Sequence, residues 1–156
     1  SVCVASLLFT ASGLSVPSVQ ETNSIAQRVK TIDNRKELTD TWKERGAKDR
    51  DYAILTDEIS RASFGLTTNQ HKRIKGLKKE NLRDNMTNAE LVINMLGELA
   101  TTEISKSENP NGFEESQDVA KRGGTIAGNA RRELEANTGR KVISKSNAND
   151  KRLLGK

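Results

Sequence analysis

Thr87 and Glu90 stand three residues apart, immediately ahead of the run LVINMLGEL. In an S/T-x-x-E pattern each side chain reaches the other's free backbone N–H, which satisfies two of the donors that a helix start leaves unpaired. A helix is therefore predicted to begin at Asn88. Leu91, Val92, Met95, Leu96 and Leu99 fall on one broad face of it, with Ile104 near its end. It is the most hydrophobic segment and is expected at the centre of the core. Upstream, Gly76 interrupts a helix that can be capped by Thr67 or Thr68, and LKKENLRDNM between the two has room for one or two turns with Leu77 and Leu82 inward.

The other helices are read outward from this junction. Ile25, Val29 and Ile32 recur at i, i+4 and i+7, a stripe taken to continue through Leu38 and Trp42, with Asn23 or Ser24 as cap and Gly46 as stop. Its outer face, including Arg28, Lys30, Arg35 and Lys36, mixes both signs and reads as solvated. Tyr52, Leu55, Ile59 and Ala62 give a stripe from about Arg50 to Phe64, with Gly65 as the natural stop and with Trp42 and Tyr52 as core anchors. SENPNG breaks the chain after Ser107. Phe113 to Asn137 then forms the last helix, on which Val119, Gly123, Ile126, Ala127, Ala130 and Leu134 share a mostly small face. Gly123 and Ala127 mark a close helix crossing, although two consecutive glycines also invite a kink. Gly139 closes this helix, and KVIS after it reads as extended.

The fold class expected is all-α, a compact bundle of about four to five helices, with a disordered N-terminal segment and a basic C-terminal tail. The boundaries are 1–22, 23–144 and 145–156. Residues 1–19 join an apolar run, VCVASLLF, to a turn-rich stretch with no basic region ahead, so a fragment edge or mis-assigned start is favoured over a signal peptide. Apolar residues make up 33% of the chain, which predicts a thin core. Cys3 is the only cysteine, which excludes an intramolecular disulfide and a cysteine zinc site and fits a reducing compartment. No run of about 18 apolar residues is present, so no membrane span is expected.

The net charge of +5 is unevenly distributed. Residues 1–64 are balanced, 65–85 carry six bases against two acids, 86–120 one base against seven acids, and 121–156 ten bases against three acids. Lys72, Lys75, Lys78, Lys79 and Arg83 around the helix junction, with Arg131 and Arg132 in support, are the candidate nucleic-acid contacts, because phosphate binding needs Lys and Arg gathered on one face. Aromatic residues that could stack on single-stranded bases do not interleave with them. His71, the sole histidine, has no carboxylate close in sequence and reads as exposed. GGTIAGN lacks phosphate-loop spacing and reads as helix packing. No catalytic residue, cofactor or metal site is expected.

Three blocks, WKERGAKDRDYAILTDEISRASFG, KGLKKENLRDNMTNAELVINMLGELATTEISK and GFEESQDVAKRGGTIAGNARRELEANTGRKVIS, resemble in order the C-terminal region of bacterial DNA-damage-inducible protein D and related BRO-N-containing phage antirepressor-like proteins. The resemblance covers roughly residues 31–144, and the pattern KGLKxxNLRDxMT is its most specific part. The BRO-N domain, credited with DNA binding in that family, has no counterpart in these residues. Residues 1–20 also differ from the family's helical approach, and Asn85 follows Leu-Arg-Asp where the family often has His. The resemblance implies a cytoplasmic, non-enzymatic protein of DNA damage response, recombination or prophage regulation. Its partner would be DNA or a DNA-bound recombination or repressor protein. The alternative expectation is a protein-interaction or homo-oligomeric module using Asn88–Ile104 and the small face around Gly123.

Overall fold

A computed structural model describes Val16 and residues 18–147. It contains five helices, α1 (Val19–Glu44), α2 (Tyr52–Phe64), α3 (Thr68–Ile74), α4 (Asn88–Glu108) and α5 (Gly112–Thr138). Short 3₁₀ turns occupy Asp49–Asp51 and Arg83–Asn85, and no strand occurs among the described residues. The all-α expectation is met. The expectations for residues 1–15 and for the tail from 148 onward lie outside the described residues.

The chain divides into two compact units, Ser1–Lys30 and Thr31–Lys156. In the first, α1 starts at Val19 rather than at Asn23. Ser18 and Glu21 supply the reason: the Ser18 N–H donates to Glu21 Oε2 at 2.9 Å, and the Glu21 N–H donates to Ser18 Oγ at 3.2 Å. This is a second S-x-x-E cap, ahead of the one predicted. Ile25 and Val29 are exposed here.

In the second unit the predicted α1 stripe fails. Ile32 is 67% exposed, whereas Leu38 and Trp42 are completely buried. Leu38 lies six residues past Ile32, about 240° further round a helix that turns ~100° per residue, so the two belong to different faces. The buried face is Thr31, Leu38, Thr41 and Trp42. Trp42 meets the half-buried Tyr52 ring at 5.8 Å between centroids, and with Leu55, Ile59, Ala47 and Ala120 it forms one core cluster. The Gly112 N–H donates to the Arg45 carbonyl at 2.9 Å, tying the start of α5 to the end of α1.

The second cluster gathers Phe64, Leu82, Met86, Leu91, Ile93, Ala127 and Val142. Helix α5 packs along both α2 and α4. It is continuous through Gly123–Gly124, so no break forms there. Gly123 is where α4 comes closest: a Cβ on it would overlap Thr101 Oγ1 and lie 2.7 Å from the Thr101 nitrogen. The neighbouring Gly124 and Gly128 face α2 in the same way, against Ile59 and Ala62. Ile126 and Leu134, placed on this face by the sequence pattern, are exposed.

Helix α4 turns a less apolar side inward than predicted. Val92 and Leu99 are exposed, while Glu90, Glu98, Thr101, Thr102 and Ser105 are buried with Leu91, Ile93 and Gly97. Threonine tolerates this burial because its hydroxyl can donate back to its own helix: Thr101 to the Gly97 carbonyl at 2.7 Å, and Thr102 to the Glu98 carbonyl at 3.0 Å. Small side chains then let the helices approach until little apolar bulk is needed between them.

Candidate functional site

The helix junction forms as its caps dictate. Thr67 caps α3, its hydroxyl accepting from the Gln70 N–H at 3.2 Å while the Thr67 N–H donates to Gln70 Oε1 at 2.8 Å. Gly76 takes φ +70, which a residue with a Cβ adopts only at a cost, and so turns the chain out of α3. Asn81 organises the following loop: its Oδ1 accepts from the Arg83 N–H at 2.9 Å, and its carbonyl accepts from Asn85 Nδ2 at 2.7 Å. Asn85 is buried in this turn. Thr87 caps α4, donating from its hydroxyl to Glu90 Oε1 at 2.9 Å, and Glu90 Oε1 also accepts the Thr87 N–H at 3.2 Å.

Glu90 is more than a cap. Its side chain is fully buried, with Lys75 Nζ 2.6 Å from Oε1 and His71 Nε2 hydrogen-bonded to Oε2. The side chains of Lys75 and His71 are equally inaccessible. Burial alone would push the Glu90 carboxyl up, but bonds from His71 and Lys75, the Lys75 charge and the Thr87 hydroxyl overcome it and hold the group below the usual carboxylate range. An ionised carboxylate only accepts, so His71 Nε2 carries the proton of that bond. The reading of His71 as exposed is thereby corrected. It sits edge-on to Phe64 with centroids 5.1 Å apart, and its partner Glu90 lies 19 residues downstream.

Lys75 reaches one segment further. Its ammonium donates to the carbonyls of Ser144, at 3.1 Å, and Ser146. The chain after α5 is folded back by this contact and by the Val142 N–H, which donates to Glu135 Oε2 at 2.9 Å. Lys145, between the two pinned carbonyls, is exposed. The fold therefore brings a base from the C-terminal basic set to the end of α3, where Gly76 leads directly to the exposed Lys78 and Lys79.

The other candidate contacts separate. Lys75 is an interior ion-pair residue and is not placed to touch phosphate. Arg83 bonds its guanidinium to Glu98, and Arg131 pairs with Glu135 at 2.6 Å while donating from Nε to the Ser63 carbonyl at 2.7 Å. Arg132 is exposed, with Nη2 donating to Asn129 Oδ1 at 2.5 Å. Lys72 is half-buried and lines a cleft.

That cleft, about 320 Å³, was not anticipated. Arg35, Lys72 and Arg83 line it with Thr68, Asn94 and the apolar Leu82 and Met86. Arg35, read as a solvated-face residue, instead crosses the Trp42 ring at 5.3 Å and donates from Nη2 to Thr56 Oγ1 at 2.6 Å. Its Nη1 stands 3.5 Å from Glu98 Oε1, the same oxygen that Arg83 engages. Burial pushes the Arg35 guanidinium below its usual range; Glu98 opposes the shift and the like charge of Arg83 adds to it. Burial likewise pushes the Glu98 carboxyl up, although Arg83 and Arg35 favour its charged form. The Asn94 amide favours that charge from nearby, but its Nδ2 makes no hydrogen bond of normal geometry. Arg35 Nη1 and Glu98 Oε2 are also buried without a hydrogen-bond partner.

Among the described residues no group of three or more His, Cys, Asp or Glu side chains could hold a metal ion. None of the helices there is long and apolar enough to cross a membrane. The sequence matches no protein-family model, and no curated protein is detectably similar to it.

Proposed function

We propose that the helical unit is a non-enzymatic, cytoplasmic module of DNA-linked regulation in damage response, recombination or prophage control. It binds the phosphate backbone of DNA, or a protein already on DNA, through Lys78, Lys79 and the neighbouring Lys145, with Lys72 and Arg132 as further contacts. The observation that carries this reading is the seating of Ser144 and Ser146 on Lys75, which gathers exposed bases from two distant stretches beside one loop. The resemblance of KGLKxxNLRDxMT to the DNA-damage-inducible protein D family supplies the biological setting. Exposed ammonium groups on flexible stems suit backbone contact rather than base reading, so the binding should be tolerant of sequence.

The test is a salt titration of duplex DNA binding. Each neutralised phosphate contributes a log–log slope of about −0.9. The variant carrying Lys78→Ala and Lys79→Ala should reduce the slope by about 1–2 and weaken binding alike on unrelated sequences. No binding at low salt, or a slope unchanged in the double variant, would sink the proposal.

A self-association reading draws on Val92 and Leu99, two exposed apolar residues seven positions apart on α4. The small face around Gly123 does not support it, because α2 and α4 already cover that face. Sedimentation velocity that stays monomeric across a hundredfold concentration range would remove this alternative.

A further inference from the structure

We propose that the cleft lined by Arg35, Lys72 and Arg83 is a binding site for a phosphate monoester, a phosphate dianion carrying a small, partly apolar group. The inference is independent of whether the loop lysines touch DNA.

Charge is the first argument. Three cationic side chains line the cleft and no acidic side chain does. Glu98 lies beneath, with one oxygen shared by both guanidinium groups, so two positive charges stay unbalanced by it. Asp57, close to this region, is taken up by the Thr68 N–H at 3.0 Å and does not line the cleft. A phosphate monoester, with its second ionisation near pH ~6, is largely a dianion at neutral pH and matches that excess.

Hydrogen bonding is the second. Arg35 Nη1 and Asn94 Nδ2 are donors with no acceptor, in the wall of a cleft that is otherwise polar. Buried donors left unmatched are uncommon, and phosphate oxygens supply acceptors in the number and directions that guanidinium and amide groups use. The hydroxyls do not compete for this role: Thr56 Oγ1 donates to the Tyr52 carbonyl at 2.6 Å and Ser60 Oγ to the Leu66 carbonyl at 2.7 Å.

Size and shape are the third. A volume of about 320 Å³ exceeds what a bare phosphate needs and falls at the small end of ligand sites, roughly 300–1,000 Å³. Leu82 and Met86 give the remaining space an apolar wall.

The ligand could be a free small molecule or the phosphorylated end of a nucleic acid strand. The experiment separates them with three probes: inorganic phosphate, a nucleoside 5′-monophosphate, and a 5′-phosphorylated oligonucleotide against its 5′-hydroxyl counterpart. Trp42 is the only tryptophan, and Arg35 lies over its ring, so its emission reports occupancy directly. A saturable emission change with the monophosphate, tighter than with inorganic phosphate and accompanied by a raised Tm, is expected. A preference for the 5′-phosphorylated oligonucleotide would assign the source to a strand end; binding of the monophosphate alone would assign it to a free molecule. Lys72→Glu should weaken binding about 10–100-fold, as expected on loss of a charge-assisted bond, whereas Lys72→Arg should retain it. Lys121→Gln, on the exposed side of α5, should change neither. Absence of any saturable response, affinity no better than for inorganic phosphate, or equal binding by Lys72→Glu would overturn the assignment.

Discussion

Glu90→Gln should lower the stability of the folded chain by about 3–5 kcal/mol, the usual cost of leaving one member of a buried ion pair without its partner. On a chain of this size that corresponds to a fall in Tm of roughly 6–20 °C, readable by the emission of the buried Trp42. The size of the effect follows from how much converges on one carboxylate. Glu90 holds the Lys75 ammonium at 2.6 Å, accepts from His71, and closes the cap of α4 through Thr87. Glutamine keeps the volume and one acceptor oxygen but removes the charge that compensates a completely buried ammonium. Loosening Lys75 also releases the Ser144 and Ser146 carbonyls, so the segment around Lys145 should become more open to proteolysis than the helices. Replacing both partners with apolar residues, Lys75→Met with Glu90→Leu, should recover about half of the loss, since no unpaired charge then stays inside. A single Glu90→Gln variant that melts with the wild type would disprove the network.

The same group sets a pH dependence. The folded Glu90 carboxyl lies below its ordinary value of 4.5, so its stabilisation is complete above that value and is lost as pH falls through the lower folded one. Glu98, pushed up by burial, contributes with the opposite sign: its term favours the folded chain at low pH and is lost as pH rises through the raised value. Acid unfolding of the wild type should therefore be the difference of two opposed terms. Glu90→Gln removes the descending one, and its stability should vary less between pH 5 and the acid limit. An acid limb identical in the two proteins would show that Glu90 does not control it.

Thr87–Glu90, Gly65 and Gly139 were legible in the sequence because a helix end is a local problem, solved by residues within four positions of it. Gly123 was legible as a crossing point for a related reason, since a glycine in a long helix needs a neighbour to justify it. What escaped was the polar interior. Lys75 and Glu90 are fifteen residues apart and face each other only because Gly76 and the Asn81 turn fold the chain back between them. From sequence, Lys75 could only be grouped with Lys78 and Lys79, which share its charge and not its environment. Arg35 was assigned to a solvated face because the α1 stripe was drawn through Ile25, Val29 and Ile32 and then carried into Leu38 across a change of face. Helix geometry alone argues against that stripe. Arg35 precedes Leu38 by three residues, which sets it only about 60° from Leu38 around the axis and so on the buried side.

Gly123→Ala should destabilise the chain by at least about 2 kcal/mol, beyond the middle of the range for overpacked sites, and the sign of the change is its most telling feature. On a free helix this substitution stabilises by ~1 kcal/mol, because alanine has less backbone freedom to lose. Here the new methyl would overlap Thr101 Oγ1 and stand 2.7 and 2.8 Å from the nitrogen and Cα of the same residue. The hydroxyl cannot swing aside without giving up its bond to the Gly97 carbonyl. The backbone atoms can move only if α4 and α5 separate along their length. Overpacking of this kind costs about 1–3 kcal/mol and sometimes more, enough to overturn the propensity gain. Thr101→Ala combined with Gly123→Ala removes the contact with the hydroxyl but not the two with the main chain, so the double variant should remain less stable than wild type. Thr125→Ala, on the exposed side of the same helix, should by contrast change stability by less than about 0.5 kcal/mol. If Gly123→Ala instead melts at or above the wild-type temperature, the two longest helices of the Thr31–Lys156 unit do not approach as closely as the packing of Gly123 on Thr101 requires.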